Sequence, residues 1–214
     1  MDFKNWSSPI VGNSHPTRDL LIEKVIFLMA SRPLEEITSE LVIEESGISK
    51  GSMYHHFKDF PELLEFSYVE IFARLAAGQL NALNGVLLGS STREEFLTGL
   101  RSITHGSSDP ALVALRLARV TAIANALSSP RMGAMIGVVQ ESLTHELSKY
   151  FEEVQKRGWG NPDLDPMTVS VFVQAYIVGS VVDLLTPSRM DFEAWVYLID
   201  QVLGVVLVGQ TEAD

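Results

Sequence analysis

The 214-residue sequence has no cysteine. That excludes a disulfide-stapled secreted scaffold, and with it thiol nucleophiles, thiolate metal sites and thiol redox chemistry. Long uninterrupted apolar runs are missing as well. The greasiest stretches, 169–185 and 195–208, are broken by Gln174, Asp183 and Asp200. Neither reaches the roughly 20 clean apolar residues of a membrane span. The opening segment lacks the basic start and apolar stretch of a signal peptide. A soluble cytoplasmic protein with no membrane partner is expected. Basic charge is scarce: 16 Lys and Arg face 27 Asp and Glu, a formal net charge of −11. The bulk positive footprint of a nucleic-acid binder is therefore absent, although a local constellation can outweigh net charge. Alternating apolar–polar runs, the mark of strands, are rare.

What the sequence does have is helical periodicity. With 46 % apolar and 20 % charged residues it can build a core. Apolar spacing predicts helices over 17–31, 38–45, 49–57, 59–83, 92–104, 110–127, 131–156, 165–185 and 191–208, separated by Gly, Pro and Ser clusters. The sharpest compositional break falls at Gly85, Gly89, Ser90 and Ser91. The fold class expected is all-α, a small front module followed by a larger helical body.

One segment stands above the background, residues 36–64, EITSELVIEESGISKGSMYHHFKDFPELL. Thr38 suits the cap of a short helix, and Gly47 stands where the chain must turn sharply. Ser49 is a good N-cap for the helix that follows. Two short helices around a Gly-containing turn make a helix-turn-helix, whose second helix normally enters the major groove. That helix clusters donors at Lys50, Ser52, Tyr54, His55 and His56, while Met53 and Phe57, four apart, suit a core-facing stripe. Small Gly51 and Ser52 permit close approach of the backbone. Asp59 and Glu62 form a capping-box pattern beside Lys58, an arrangement suited to a phosphate. Spacing alone leaves DNA binding and ordinary helix packing as alternatives, since many capped helix pairs share this pattern.

The run Ile48-Ser49-Lys50-Gly51-Ser52-Met53-Tyr54-His55-His56-Phe57 closely resembles the V-S-K-G-T-L-Y-H-H-F signature of the tetracycline-repressor (TetR/AcrR-type) family of transcription regulators. The resemblance extends from about Arg18 to Leu64; the rest of the chain matches as an architecture only. It implies an N-terminal arm and three-helix DNA-binding domain (1–60) and a C-terminal effector-binding and dimerisation domain (61–214). By position it implies that Ser49, Lys50, Gly51 and Ser52 face the groove near base edges. Tyr54 and His55 would contact backbone phosphates, and Lys58 another phosphate. Many relatives carry Lys just inside the fourth helix, where this chain has Phe60. Six basic against nine acidic residues in the first 60 make the recognition module itself acidic. Tight binding is therefore expected only at low to moderate salt or on a well-matched operator.

Other chemistry finds little support. His55 and His56 are adjacent and diverge by about 100° on a helix. His15, His105 and His145 lie far apart without metal-ligand spacing, so no metal and no cofactor is expected. There is no G-x-S-x-G elbow, phosphate loop or dinucleotide fingerprint, and an enzyme is not expected.

Apolar stripes at Leu112, Leu115, Val120, Ile123 and Leu127, and at Met132, Ile136, Val139, Leu143 and Leu147, read as core. Arg116, Gln140 and Tyr176, with Asp183 a heptad beyond, are polar residues embedded among apolar ones. Arg116, Gln140 and Tyr176 are the candidate contacts for a hydrophobic or amphipathic small-molecule effector, with Met132, Met135 and Met167 as adaptable walls. Each is also explained by an internal hydrogen bond or plain exposure. The last two predicted helices are apolar on most of their circumference, and Gly179, Ser180 and Gly204 permit close helix approach. A homodimer through these helices is expected, with two recognition helices about 34–36 Å apart on a double-stranded, near-palindromic operator. The function expected is a one-component repressor released from its operator by the effector. An activator or co-repressor-dependent regulator of the same fold, and a helical ligand-binding protein without DNA binding, remain alternatives. An N-terminal arm (1–16) reaching the minor groove is left open.

Overall fold

A computed structural model describes residues 15–105 and 110–208. Among them the chain is all-α, as the periodicity predicts: α1 Pro16–Ser31, α2 Ser39–Ser46, α3 Lys50–His56, α4 Phe60–Gly89, α5 Arg93–His105, α6 Pro110–Ser128, α7 Pro130–Lys156, α8 Pro166–Gly179 and α9 Phe192–Val208. Residues 1–14, most of the expected arm, lie outside the described residues, as do the side chains of His105, Pro110, Ala111 and residues 205–208.

The helices form two compact units. One takes in the described residues up to Leu75 together with Thr121–Val139; the other comprises Ala76–Val120 and the described residues from Gln140 on. These divisions fall inside α4, α6 and α7, whereas the sequence division at residue 60 falls at the start of α4.

In the first unit, α1 starts at Pro16, whose missing N–H costs nothing at this position. The imidazole of His15 accepts from the Thr17 N–H at 3.2 Å and caps the helix. Leu21, Ile22, Val25 and Leu28 of α1 pack with Ile37, Val42, Met53, Phe57 and Leu63 into one buried cluster. Burying side chains of this size contributes roughly 1.5–3 kcal/mol each before the entropy of ordering them is subtracted. Met132, Ile136 and Val139, the first part of the α7 stripe, are buried as expected. The α6–α7 corner is tight: a Cβ on Gly133 would lie 2.9 Å from the Ala126 carbonyl oxygen, so only glycine fits that approach.

In the second unit, Leu143 and Leu147 complete the α7 stripe, with Tyr150, Phe151 and Val154 beyond them. Phe96 of α5 lies between Tyr150 and Trp159, with ring centroids at 6.4 and 5.5 Å. The Tyr150 hydroxyl is buried without a hydrogen-bond partner among the described residues, and burial raises its pKa. An Arg101–Asp200 ion pair at 3.4 Å joins α5 to α9.

Three expectations need correction. The fourth helix does not stop near residue 83; it runs through Gly85 to Gly89. A glycine inside a helix costs about 1 kcal/mol, too little to break one held by packing. The α6 stripe is not core in this chain: Leu112, Leu115 and Leu127 are exposed, and Arg119 and Ala122 are buried instead. A helix apolar on several faces admits more than one stripe, and packing chooses among them. Finally, the single helix predicted over 165–185 is α8 followed by a 3₁₀ segment, Ser180–Leu185. Asp183 anchors the turn after it, accepting from the Met190 N–H at 2.9 Å and pairing with Arg189 at 3.7 Å.

By length and composition two segments could cross a bilayer, Phe60–Gly89 and Pro166–Leu185. The first supplies core residues such as Val69, Phe72, Leu80 and Leu87, which accounts for its apolar character.

Candidate nucleic-acid interface

The helix-turn-helix forms as its residue types dictate. Thr38 caps α2 by accepting from the Leu41 N–H at 3.2 Å. Gly47 ends the helix with φ 68°, a conformation in which a Cβ would clash. Ser49 caps α3 by accepting from the Ser52 N–H at 3.2 Å. Its hydroxyl oxygen thus has a structural task, and its proton stays available for donation.

Helix α3 is divided cleanly. Met53 and Phe57 are buried, whereas Ser49, Lys50, Gly51, Tyr54, His55 and Lys58 are exposed and Ser52 is half-buried. The seven candidate residues thus lie on and just beyond one short helix. Among the described residues nothing lies within 4 Å of a Cβ placed on Gly51, so their packing does not require glycine there. Tyr54 is 42 % exposed, a large aromatic left on the surface of a module with a filled core.

The start of α4 follows the capping-box pattern. The Glu62 N–H donates to the Asp59 carboxylate at 2.8 Å, and the Lys58 N–H donates to the Glu62 carboxylate at 2.5 Å. Two backbone donors that a phosphate would use are therefore occupied by carboxylates; at this end the ammonium of Lys58 remains exposed. Phe60 packs against the module core, which explains an apolar residue at that position.

Three further arrangements were missed by sequence reasoning. The ring of His15 lies 4.4 Å from that of His56, with His55 5.2 Å beyond. Burial lowers the pKa of His56, and His15, His55 and Arg18 lower it further. No spacing rule pairs residues 15 and 56; the contact exists because the start of α1 meets the end of α3. Arg18 is turned inward, its guanidinium 4.4 Å from the centre of the Phe66 ring and 5.5 Å from that of Phe57. Arg131, in the first turn of α7, gathers three carboxylates of α4 and the residue before it: Glu65 at very short range, Glu62 at 3.3 Å and Asp59 at 3.9 Å.

The second unit holds the candidate effector residues. Gln140 donates to the Gln174 amide oxygen at 2.7 Å and to the Thr144 hydroxyl at 3.0 Å. Arg119 donates to Gln79 at 3.0 Å and to the same oxygen of Gln174 at 3.1 Å. Helices α4, α6, α7 and α8 thus meet in one polar network. Arg116 and Tyr176 are half-buried; burial lowers the pKa of Arg116 and raises that of Tyr176 to about 12. Arg119 and Gln79 were missed, although Gln174 could have been found as a polar break in an apolar run.

No protein-family model matches the sequence. No curated protein matches it either. Solved structures do share its fold. A Rhodococcus sp. protein named as a TetR-family transcriptional regulator is 22 % identical, with a TM-score of 0.64 over 89 % of this chain and 98 % of its own. A Mesorhizobium loti protein named likewise is 16 % identical, with a TM-score of 0.65 over 88 % of this chain and 94 % of its own. The superantigen PfiT, 17 % identical, has a TM-score of 0.61 over 92 % of this chain and 100 % of its own. The chain thus has the all-α fold of TetR-type transcriptional regulators. That fold also serves a protein with a different name and role, so function must be argued from the site.

Proposed function

We propose that the chain is a DNA-binding transcription regulator of the TetR/AcrR type, a homodimeric repressor released from a near-palindromic operator by a small hydrophobic or amphipathic effector. The division of α3 carries the reading. Its buried side supplies Met53 and Phe57 to the core, and its outer side carries the serine, lysine, glycine, tyrosine and histidine of the signature. An exposed aromatic beside a helix glycine that packing does not need is costly surface chemistry without a DNA partner. In this reading Ser49, Lys50, Gly51 and Ser52 approach base edges, and Tyr54, His55 and Lys58 hold phosphates. With few long base-reading side chains, part of the specificity comes from DNA shape.

Dimerisation through the last two helices is supported by what they leave uncovered. Val171, Phe172, Val182, Leu185, Tyr197 and Leu198 are 39–83 % exposed, and among the described residues nothing lies within 4 Å of a Cβ on Gly179 or Gly204. Exposed apolar side chains grouped on these elements support a protein interface there.

The test is binding to fragments of the chain's own upstream region. A repressor dimer binds one such fragment, and replacing Tyr54 and Lys50 by Ala abolishes binding while the dimer persists. A helical ligand-binding protein without DNA binding would ignore every fragment even in dilute buffer.

A further inference from the structure

We propose that DNA binding by this chain is linked to proton uptake at a cluster of three imidazoles, His15, His55 and His56, where the start of α1 meets the end of α3. The proposal rests on the DNA-binding reading above and adds His15 and His56 to the residues that respond to the DNA backbone.

The rings of His15 and His56 lie 4.4 Å apart, and those of His55 and His56 5.2 Å apart. His15 and His55 are exposed and His56 is half-buried, so the cluster stands at the surface. His15 is fixed there by its task in the fold, since its Nδ1 accepts from the Thr17 N–H at 3.2 Å. Arg18, one turn into α1, lies over the Phe57 and Phe66 rings and is held close to the same junction.

The charges acting on His56 are of one sign. Burial, His15 and Arg18 from α1, and His55 from α3 hold its pKa below 6.5, and exposed Lys58 follows two residues on. The carboxylates of the adjoining elements are engaged with arginines. Asp19 of α1 stands 3.9 Å from Arg18, while Asp59 and Glu62 at the start of α4 meet Arg131 at 3.9 and 3.3 Å. None of the three is among the groups that act on His56. A DNA backbone supplies the missing negative charge, because in the reading above Tyr54, His55 and Lys58 hold phosphates around this point. An opposite charge nearby favours the charged form of a titratable group. Phosphate arriving at His55 and Lys58 therefore raises the proton affinity of the cluster, and by reciprocity a lower pH tightens DNA binding. The sign is fixed by the free chain: His56 is neutral there above about pH 6.5, and the complex holds its proton to a higher pH.

Anisotropy titrations of the full chain between about pH 8 and about pH 6 test this. The probes are its labelled upstream fragment and a random-sequence duplex of the same length at low salt. Phosphates carry no sequence information, so affinity for both duplexes should rise as pH falls, by up to about tenfold per pH unit for one linked proton. Calorimetry in two buffers of different ionisation enthalpy should show proton uptake on binding. His56→Gln should flatten the pH slope and abolish the uptake. His15→Asn, which keeps an acceptor at the helix cap, should flatten the slope in part. If His56→Gln does not fold, His15→Asn alone decides. An affinity that does not rise as pH falls, or a slope and uptake that the variants leave intact, overturns the proposal while the regulator reading stands. A chain that binds neither duplex at any pH overturns both.

Discussion

The guanidinium of Arg131 closes directly on the carboxylate of Glu65, joining the first turn of α7 to the first turns of α4. Ser129 donates to the same carboxylate at 2.7 Å. Tyr68, one turn further along α4, shares a side-chain hydrogen bond with Asn125 of α6. The α6–α7 corner is thus tied to the helix that follows the recognition helix. If this tie sets the position of α3 on DNA, Arg131→Gln and Glu65→Gln each change operator affinity. The double variant should then fall short of the sum of the two singles, because both remove the Arg131–Glu65 pair, while Arg131→Gln also removes those with Glu62 and Asp59. Operator titrations of the four proteins decide it; strictly additive effects would show that the pair does not act as a unit.

Gly51 offers a test in which stability and function move in opposite directions. With open space around it and a helical backbone, Gly51→Ala should stabilise the chain by roughly 0.5–1 kcal/mol. On the proposed DNA-binding reading the added methyl would stand between helix and groove, so operator affinity should fall. A variant that is both more stable and equally tight on DNA would remove Gly51 from the interface.

Lys58 and Tyr54 should fail differently. If Lys58 holds a phosphate as proposed, Lys58→Ala should lower the slope of log affinity against log salt by about 0.9. If Tyr54 makes an uncharged contact as proposed, Tyr54→Ala should lower affinity at every salt concentration with the slope unchanged. Affinity measured across a salt series separates the two.

The histidine cluster predicts a pH dependence. Burial and the neighbouring His15, His55 and Arg18 hold the His56 pKa below 6.5 in the folded chain, so the unfolded chain takes up this proton first as pH falls. The stability associated with His56 is therefore complete above about pH 6.5 and is lost as pH falls through and below it. Thermal unfolding from about pH 8 to pH 5 should show a steeper fall for the native chain than for His56→Asn. Parallel curves would mean that the cluster does not govern stability.

The apolar face of α8, the 3₁₀ segment and α9 predicts an oligomeric consequence. Val182→Asp together with Tyr197→Glu should yield a monomer by sedimentation, and the monomer should lose most operator affinity, since each half-site alone contributes only part of the binding. A double variant that remains dimeric would move the interface elsewhere.

The legible parts of the sequence were those where local chemistry decides. Thr38, Gly47, Ser49 and Asp59 announced their caps, and the α7 stripe from Met132 to Leu147 is buried because its opposite face is polar. The illegible parts depend on tertiary choice. Helix α6 is apolar on several sides, so sequence periodicity could not say that Arg119 faces inward and Leu115 outward. The contacts of His15 with His56 and of Arg131 with Glu65 join residues 41 and 66 positions apart, beyond the reach of any local rule. Among the polar residues of the helical body, Gln140 was legible because it interrupts a regular stripe. Arg119 and Gln79, which reach Gln140 through Gln174, were not, since polar residues on a mixed helix look solvent-exposed until a neighbour covers them.

The central claim is that two copies of the segment from Ser49 to Lys58 read one DNA site together. Sedimentation of the purified chain with a labelled fragment of its upstream region tests this most directly. The account predicts a complex of two chains per fragment at low to moderate salt, abolished by Tyr54→Ala with Lys50→Ala. A chain that stays monomeric, or a complex untouched by those substitutions, would contradict it.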